Sequence, residues 1–178
     1  MTKVNLIGIV GSLRNGSANG ALARAATGNL SEHAALSLYD VSRLPLYNGD
    51  EETAGPPADV MALRAAVRDA DGIVLFSPEY NGSLPAVTKN VIDWLSRDSP
   101  VWDGTGITMI TMSPGGRAGI GAREHFTAIM QRQATRLFET IGFGTYGDRL
   151  DEDGNVTDPA TLAELADFLE RYADHCRG

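Results

Sequence analysis

The chain of 178 residues has a single cysteine, Cys176, so it cannot close a disulfide within itself. It lacks any basic excess: 15 Lys and Arg stand against 23 Asp and Glu, a formal net charge of -8 with a pI near 4.8. That balance argues against nucleic acid or an anionic membrane surface as a partner. No stretch approaches the ~18 uninterrupted apolar residues of a membrane span. Met1-Thr2-Lys3 leads straight into an apolar run without the layout of a signal peptide, and with the lone cysteine this points to a cytoplasmic location. HExxH, GxSxG and Cys/His pairs at ligand spacing are missing, so neither a metal centre nor a serine nucleophile is expected. His33, His125 and His175 are scattered and read as solvated or structural, with only His125, just after a Gly-rich loop, a candidate for more.

What is present centres on Gly11-Ser12-Leu13-Arg14-Asn15-Gly16-Ser17-Ala18-Asn19. The stretch follows the apolar run Val4 to Val10 and precedes an Ala/Leu-rich helical segment. Strand, Gly-rich turn, helix is the order that aims free backbone N–H groups of a helix start at whatever occupies the turn. Ser12, Ser17 and Asn19 add hydrogen-bonding side chains, and Arg14 adds a planar cation able to hold two oxygens of a phosphate. Gly11 and Gly16 have P-loop spacing, but Ser17-Ala18 replaces Lys-Ser/Thr, which removes the β/γ-phosphate lysine and the magnesium hydroxyl. The glycines at 8, 11 and 16 also miss the GxGxxG pattern of a dinucleotide site. A single terminal phosphate, as in FMN, fits best. An ordinary strand-to-helix loop with a capping serine and a solvated arginine is the alternative.

The rest of the chain alternates strand-like and amphipathic segments, the mark of one α/β domain over residues 1–178. Strands are expected at Lys3 to Val10, Ala35 to Asp40, Gly72 to Ser77, Gly106 to Met112 and Phe143 to Tyr146. Helices are expected from Ala18 to Leu30, from Pro56-Pro57 to Asp71-Gly72, from Ser83-Leu84-Pro85, from Ala122 to Ile141, and after Asp158-Pro159. The acidic run Asp50-Glu51-Glu52 reads as loop, and Asp40 as a loop cap rather than a ribose-binding acid. A parallel sheet covered on both faces gathers ligands outside the carboxyl ends of its strands. Ser77-Pro78-Glu79-Tyr80-Asn81-Gly82 and Ser113-Pro114-Gly115-Gly116 fall at two further such ends. Tyr80 is suited to cover a planar ring, or equally to sit at a subunit contact. Asn81 and nearby amides suit ring-edge atoms, and the glycines of the third loop let backbone N–H groups approach a ligand.

Taken together, Gly11-Ser12-Leu13-Arg14 with Ser17 and Asn19, Pro78-Glu79-Tyr80-Asn81-Gly82-Ser83-Leu84-Pro85, and Lys89-Asn90-x-Ile92-Asp93-Trp94 resemble the NADPH-dependent FMN reductase family. Leu44-Pro45-Leu46-Tyr47-Asn48 with Asp50 resembles a further segment of it. The resemblance covers Val4 to Ile141 and implies a flavodoxin-like fold: a doubly wound five-stranded parallel sheet of order 2-1-3-4-5 with helices on both faces. It implies FMN, its phosphate held by Ser12, Arg14, Ser17 and Asn19. Pro78, Glu79, Tyr80 and Asn81 would border the isoalloxazine, and Ser113, Gly115 and Gly116 would meet its other edge. The implied cycle passes hydride from NADPH (or NADH) to flavin N5 and then to a small-molecule acceptor, a quinone, azo compound, free flavin or metal oxyanion. The flavin, not a catalytic side chain, carries the chemistry. A homodimer or homotetramer is implied too, in keeping with large residues (Trp94, Trp102, Phe126, Phe138) read as surplus to one helix face each. A non-enzymatic flavodoxin-like electron carrier and a nucleotide-binding module are the alternatives. The third loop departs from the family's S-x-G-x-x-G-G-x-R: adjacent glycines come early, at Gly115-Gly116, and an arginine late, at Arg123.

Overall fold

A run such as Val-Asn-Leu-Ile-Gly-Ile-Val, buried at nearly every position, belongs inside a parallel sheet covered on both faces. In the computed structural model, which describes residues 3–97, 101, 104–134 and 136–177, that run is β1, Val4–Val10. Two more runs are buried throughout, β3 (Gly72–Phe76) and β4 (Gly106–Met112). The half-exposed β2 (Ala34–Tyr39) closes one edge. The strands pair in parallel in the order β2-β1-β3-β4, and β4 takes two short strands on its outer side, β5 (Arg136–Leu137) and β6 (Ile141–Phe143). The expected 2-1-3-4-5 order is therefore present, its last position shared by two fragments.

Alternation along the strands divides the core into two layers. Leu6, Val74, Phe76, Ile110 and Met112 face α1 (Ala18–Gly28) and α6 (Pro159–Arg177). Ile7, Ile9, Ile73, Leu75, Ile107 and Met109 face α3 (Ala58–Arg68), α4 (Ala86–Leu95) and α5 (Ile120–Met130). Helix α6 starts as its sequence signals: Asp158 accepts from Thr161 N at 2.9 Å and Pro159 fills the first helical position.

The sequence reading departs from the structure at three places. The helix expected from Ala122 to Ile141 ends at Met130. Leu137 and Ile141, which continue its apolar spacing, lie instead in β5 and β6, because the outer edge of β4 offers ladder hydrogen bonds that a helix would leave unused. The strand expected over Phe143 to Tyr146 accordingly ends at Phe143, and Tyr146–Asp148 forms a 3-10 turn. The acidic run read as loop is a short helix, α2 (Gly49–Ala54): Asn48 caps it, accepting from Asp50 N at 3.0 Å, and Asp50, Glu51 and Glu52 complement its amino end. The aromatic surplus also dissolves. Trp94 and Phe126 are fully buried, and Phe138 leaves the helix to pack on Phe168 and Tyr172. Trp102 lies outside the described residues.

At the amino ends of β3 and β4 the sheet and α6 meet with no room to spare. A Cβ on Gly72 would sit 2.5 Å from Cys176 Sγ and 2.7 Å from the Tyr172 hydroxyl, and one on Gly106 2.6 Å from the same sulfur. The Tyr172 hydroxyl donates to Ile73 O at 2.8 Å, and burial pushes the Cys176 thiol up to about 11. Gly106→Ala should lower stability by about 1–3 kcal/mol through overpacking, measured by urea denaturation. Adding Cys176→Ala, which removes the sulfur, should recover most of that loss. Purely additive effects would place the strain elsewhere.

Candidate functional site

The winding of the sheet reverses between β1 and β3, and the loops after β1, β3 and β4 emerge side by side there. Gly11 leaves β1 by donating to Phe76 O at 2.8 Å, and Ser77 leaves β3 by donating to Ile110 O at 3.0 Å. The approach is close enough to require glycine: a Cβ at Gly11 would fall 2.0 Å from Thr88 Oγ1. The turn then runs exposed through Leu13 to Gly16 before α1 begins.

Ser17 caps α1, its hydroxyl oxygen accepting from Gly20 N at 3.2 Å, which leaves the hydroxyl proton free to point outward. The amides of Ala18 and Asn19 have no acceptor among the described residues, as expected of a helix start. The first turn of α1 carries no carboxylate, so its positive dipole end stands uncompensated. Arg14 is exposed, and its Nη2 donates to Gly16 O at 2.6 Å, curling the guanidinium over the turn. Asn19 does something the sequence did not reveal. Its side chain is 2 % exposed and exchanges two hydrogen bonds with Met112, Nδ2 donating to the carbonyl at 2.9 Å and Oδ1 accepting from the N–H at 2.8 Å. The side-chain amide is thus spent on tying α1 to the end of β4.

The second loop folds back on itself at Asn81-Gly82. Tyr80 and Ser83 exchange backbone hydrogen bonds at 3.0 and 3.1 Å, and φ is +53° at Asn81 and +73° at Gly82, a type I′ turn. Glu79 Oε2 accepts from Ala122 N at 3.2 Å, so its carboxylate docks on the start of α5. Ser83 Oγ lies 2.6 Å from His125 Nδ1, a second tie between this loop and α5. In the third loop Ser113 Oγ donates to Gly115 O at 3.0 Å, and Thr111 Oγ1 donates to Ala118 O at 2.6 Å. Ala118 and Gly119 are both left-handed, at φ +52° and +69°, which is how the longer loop regains the line of α5. Late-arriving Arg123 lies on α5, its Nε buried without a partner among the described residues. Burial lowers its pKa, with Glu124 and Glu79 opposing.

The three loops surround a cavity of about 260 Å³. Ser12, Arg14, Ser17, Asn19, Pro78, Glu79, Tyr80 and Ser113 line it, whereas Asn81, Gly115 and Gly116 lie beyond its lining. Pro114 of the third loop also lines it, and Ala18, Met112 and Tyr146 complete it without having been singled out in the sequence. Tyr146 had no motif to announce it; its N–H donates to Ser113 O at 3.2 Å, which carries the segment after β6 back to the third loop. One end of the cavity thus offers hydroxyls, amides and a guanidinium, the other aromatic and apolar surface. The donor set fits a phosphomonoester with a flat ring attached, the composition of FMN.

The fold is that of the flavodoxin-like proteins. A family model for NADPH-dependent FMN reductase matches residues 4–144, and the chain belongs to that family. It is 35% identical over 182 residues to a quinone reductase of Escherichia coli K12, covering 97% of this chain and 95% of that one. A 2-hydroxy-1,4-benzoquinone reductase from a Burkholderia species is 32% identical over 169 residues, with 93% and 92% covered. Among solved structures, the flavoenzyme NAD(P)H:(acceptor) oxidoreductase FerB of Paracoccus denitrificans superimposes with a TM-score of 0.86 at 27% identity, over 98% of this chain and 97% of that one.

The Asn19–Met112 pair makes a signed prediction. Asn19→Asp keeps the acceptor for the Met112 N–H but turns a carboxylate on the Met112 carbonyl, and should cost about 2–3 kcal/mol at neutral pH. Protonation restores a donor, so the gap to wild type in denaturation midpoint should narrow as pH falls toward the carboxylate range. A gap independent of pH would mean that the carbonyl does not face this side chain.

Proposed function

We propose that the protein is an NAD(P)H-dependent oxidoreductase that carries FMN and reduces a small acceptor of the quinone class. The observation that carries the reading is the turn at the sheet's switch point. It combines unpaired α1 amides, the Ser12 and Ser17 hydroxyls and the Arg14 guanidinium in a chain of the NADPH-dependent FMN reductase family. The relatives named as quinone reductases support the acceptor class.

In this reading the Ala18 and Asn19 amides with Ser12, Ser17 and Arg14 hold the phosphate, and Asn19 fixes the distance from that cradle to the third loop. Pro78, Tyr80, Met112 and Tyr146 flank the ring. The Gly115 and Gly116 amides have no acceptor among the described residues but lie beyond the cavity lining, so the third loop meets the ring first through Ser113 and Pro114. FMN supplies the two-electron chemistry when bound. In this reading the lining side chains bind and orient the cofactor, which carries the redox chemistry. Glu79, held on Ala122, serves as a brace between the second and third loops.

The reading includes one domain over the whole chain, a cytoplasmic location where NAD(P)H is supplied, and a homodimer or homotetramer. No helix among the described residues is long and apolar enough to cross a membrane. For self-association, the support is charge: exposed Asp50 and Glu51 on α2 are opposite in sign to Arg97 and Arg132 in the hollow between α4 and α5, where Lys89 is paired with Asp93.

Anaerobic titration with NADPH or NADH should bleach the absorbance of the FMN-loaded protein, and benzoquinone should restore it. Failure of both nicotinamides would leave an electron carrier. Arg14→Ala should weaken FMN binding by about 1.5–3 kcal/mol in a fluorescence titration; an unchanged dissociation constant would return Arg14 to a solvated loop. Light scattering at micromolar concentration should report at least twice the chain mass.

A further inference from the structure

Helices α4 and α5 leave an open hollow of about 520 Å³ between them, in the layer opposite α1 and α6. Ala128 and Ile129 give it an apolar wall, and the rest of its lining is polar or charged. Lys89 is paired there with Asp93, and His125 Nδ1 lies 2.6 Å from Ser83 Oγ of the second loop. Arg97 and Arg132 are exposed, and neither makes an ion pair among the described residues. In a chain of net charge -8, two unpaired arginines lining one hollow stand out.

The opposite charge lies next to this hollow. Arg97 Cζ is 5.0 Å from the centroid of the Tyr47 ring, and the Tyr47 hydroxyl donates to Glu52 Oε2 of α2 at 2.8 Å. Two side chains thus link the hollow to α2, whose Asp50 and Glu51 are exposed and also make no ion pair among the described residues.

The two patches are held in fixed relation. Glu52 Oε1 lies 3.5 Å from Nη2 of Arg64, a side chain 7% exposed, and Arg64 donates to Trp94 O on α4 through Nε at 3.3 Å and Nη2 at 2.9 Å. Trp94 Nε1 and Asn90 Nδ2 both donate to Pro45 O at 2.8 Å, and the Tyr47 ring meets Trp94 edge-on with centroids 5.0 Å apart. The acidic helix is therefore fastened beside the basic hollow without turning into it. A rigid face with one sign of charge beside the other is self-complementary under a two-fold rotation. A second copy turned about an axis between the patches lays each α2 over the other's hollow, and every contact is made twice.

We propose that this face is the contact between two copies of the chain, with Asp50 and Glu51 of each seated at Arg97 and Arg132 of the other. This rests on the self-association included in the reading above. Unpaired charges of both signs on one rigid face select the occupant, since a free anion would answer the arginines and leave the carboxylates unused. The contact also sets the second copy against His125, and so against the support of the second loop.

The test is light scattering on wild type and two charge-reversed variants, Asp50→Lys with Glu51→Lys, and Arg97→Glu with Arg132→Glu. Each variant alone makes both contacts repulsive and should raise the dissociation constant about a hundredfold, halving the solution mass. An equimolar mixture of the two restores both contacts and should return the wild-type mass, which also shows that both variants fold. Asp50→Asn with Glu51→Gln is the milder pair. It should weaken association about tenfold and remove most of the loss that wild type shows between about 0.05 and 0.5 M salt. A wild-type mass that both reversed variants leave unchanged would move the contact to another face and overturn the proposal while keeping the oligomer. Reversed variants that stay dissociated on mixing, or a neutral variant with undiminished salt dependence, would overturn it as well. A monomeric wild type would remove both the proposal and self-association, leaving the reductase reading to be decided by the bleaching of bound FMN.

Discussion

A buried asparagine side chain exchanging two hydrogen bonds with the backbone of Met112 holds the candidate site in shape. Asn19 belongs to the first turn of α1, and Met112 ends β4, two strands away across the sheet. A helix dipole can attract an anion wherever the helix points, but a ligand with a phosphate at one end and a ring at the other needs a fixed span between its two cradles. This pair fixes the distance between the start of α1 and the end of β4. Buried and fully satisfied, it is also the arrangement in which polar groups confer rigidity rather than cost.

The same logic of ties between loops recurs around the cavity. Glu79 reaches from the loop after β3 to the amino end of α5, and Ser83 meets His125 one turn further along that helix. Tyr146 returns the segment after β6 to Ser113. Each tie joins a loop to a neighbour rather than to its own strand, so the carboxyl ends of three parallel strands act as one rigid rim. The 44–54 segment is anchored separately, through Tyr47, Glu52, Arg64 and Trp94, and this network fastens α2 to α4.

Much of this was legible in the residues. The buried runs of β1, β3 and β4, the capping residues Asp158 and Ser17, and the Asn81-Gly82 turn all express local rules that need no partner to operate. The Gly-rich turn and its donors were legible for the same reason. What misled was periodicity that tertiary pairing overrode. Leu137 and Ile141 keep helical spacing with Phe126 and Met130, yet β4 had an open edge and drew them into strands. Trp94 and Phe126 looked like a surplus for an interface, but both are consumed by the core, Trp94 also serving as the hub of the network around Arg64.

By itself, then, the sequence determined the alternation of strands and helices, the parallel sheet and the donor-rich chemistry of the Gly11–Asn19 turn, because hydrophobic period, turn residues and helix caps act over a few positions. Only the tertiary structure decided which polar groups remain free to meet a ligand. Asn19, Glu79, Ser42 and Asn90 all look available in the sequence, and each is committed to a group brought near by the fold. Hydrogen bonds between residues distant in the chain form only once packing has set the distances, and no local pattern records them.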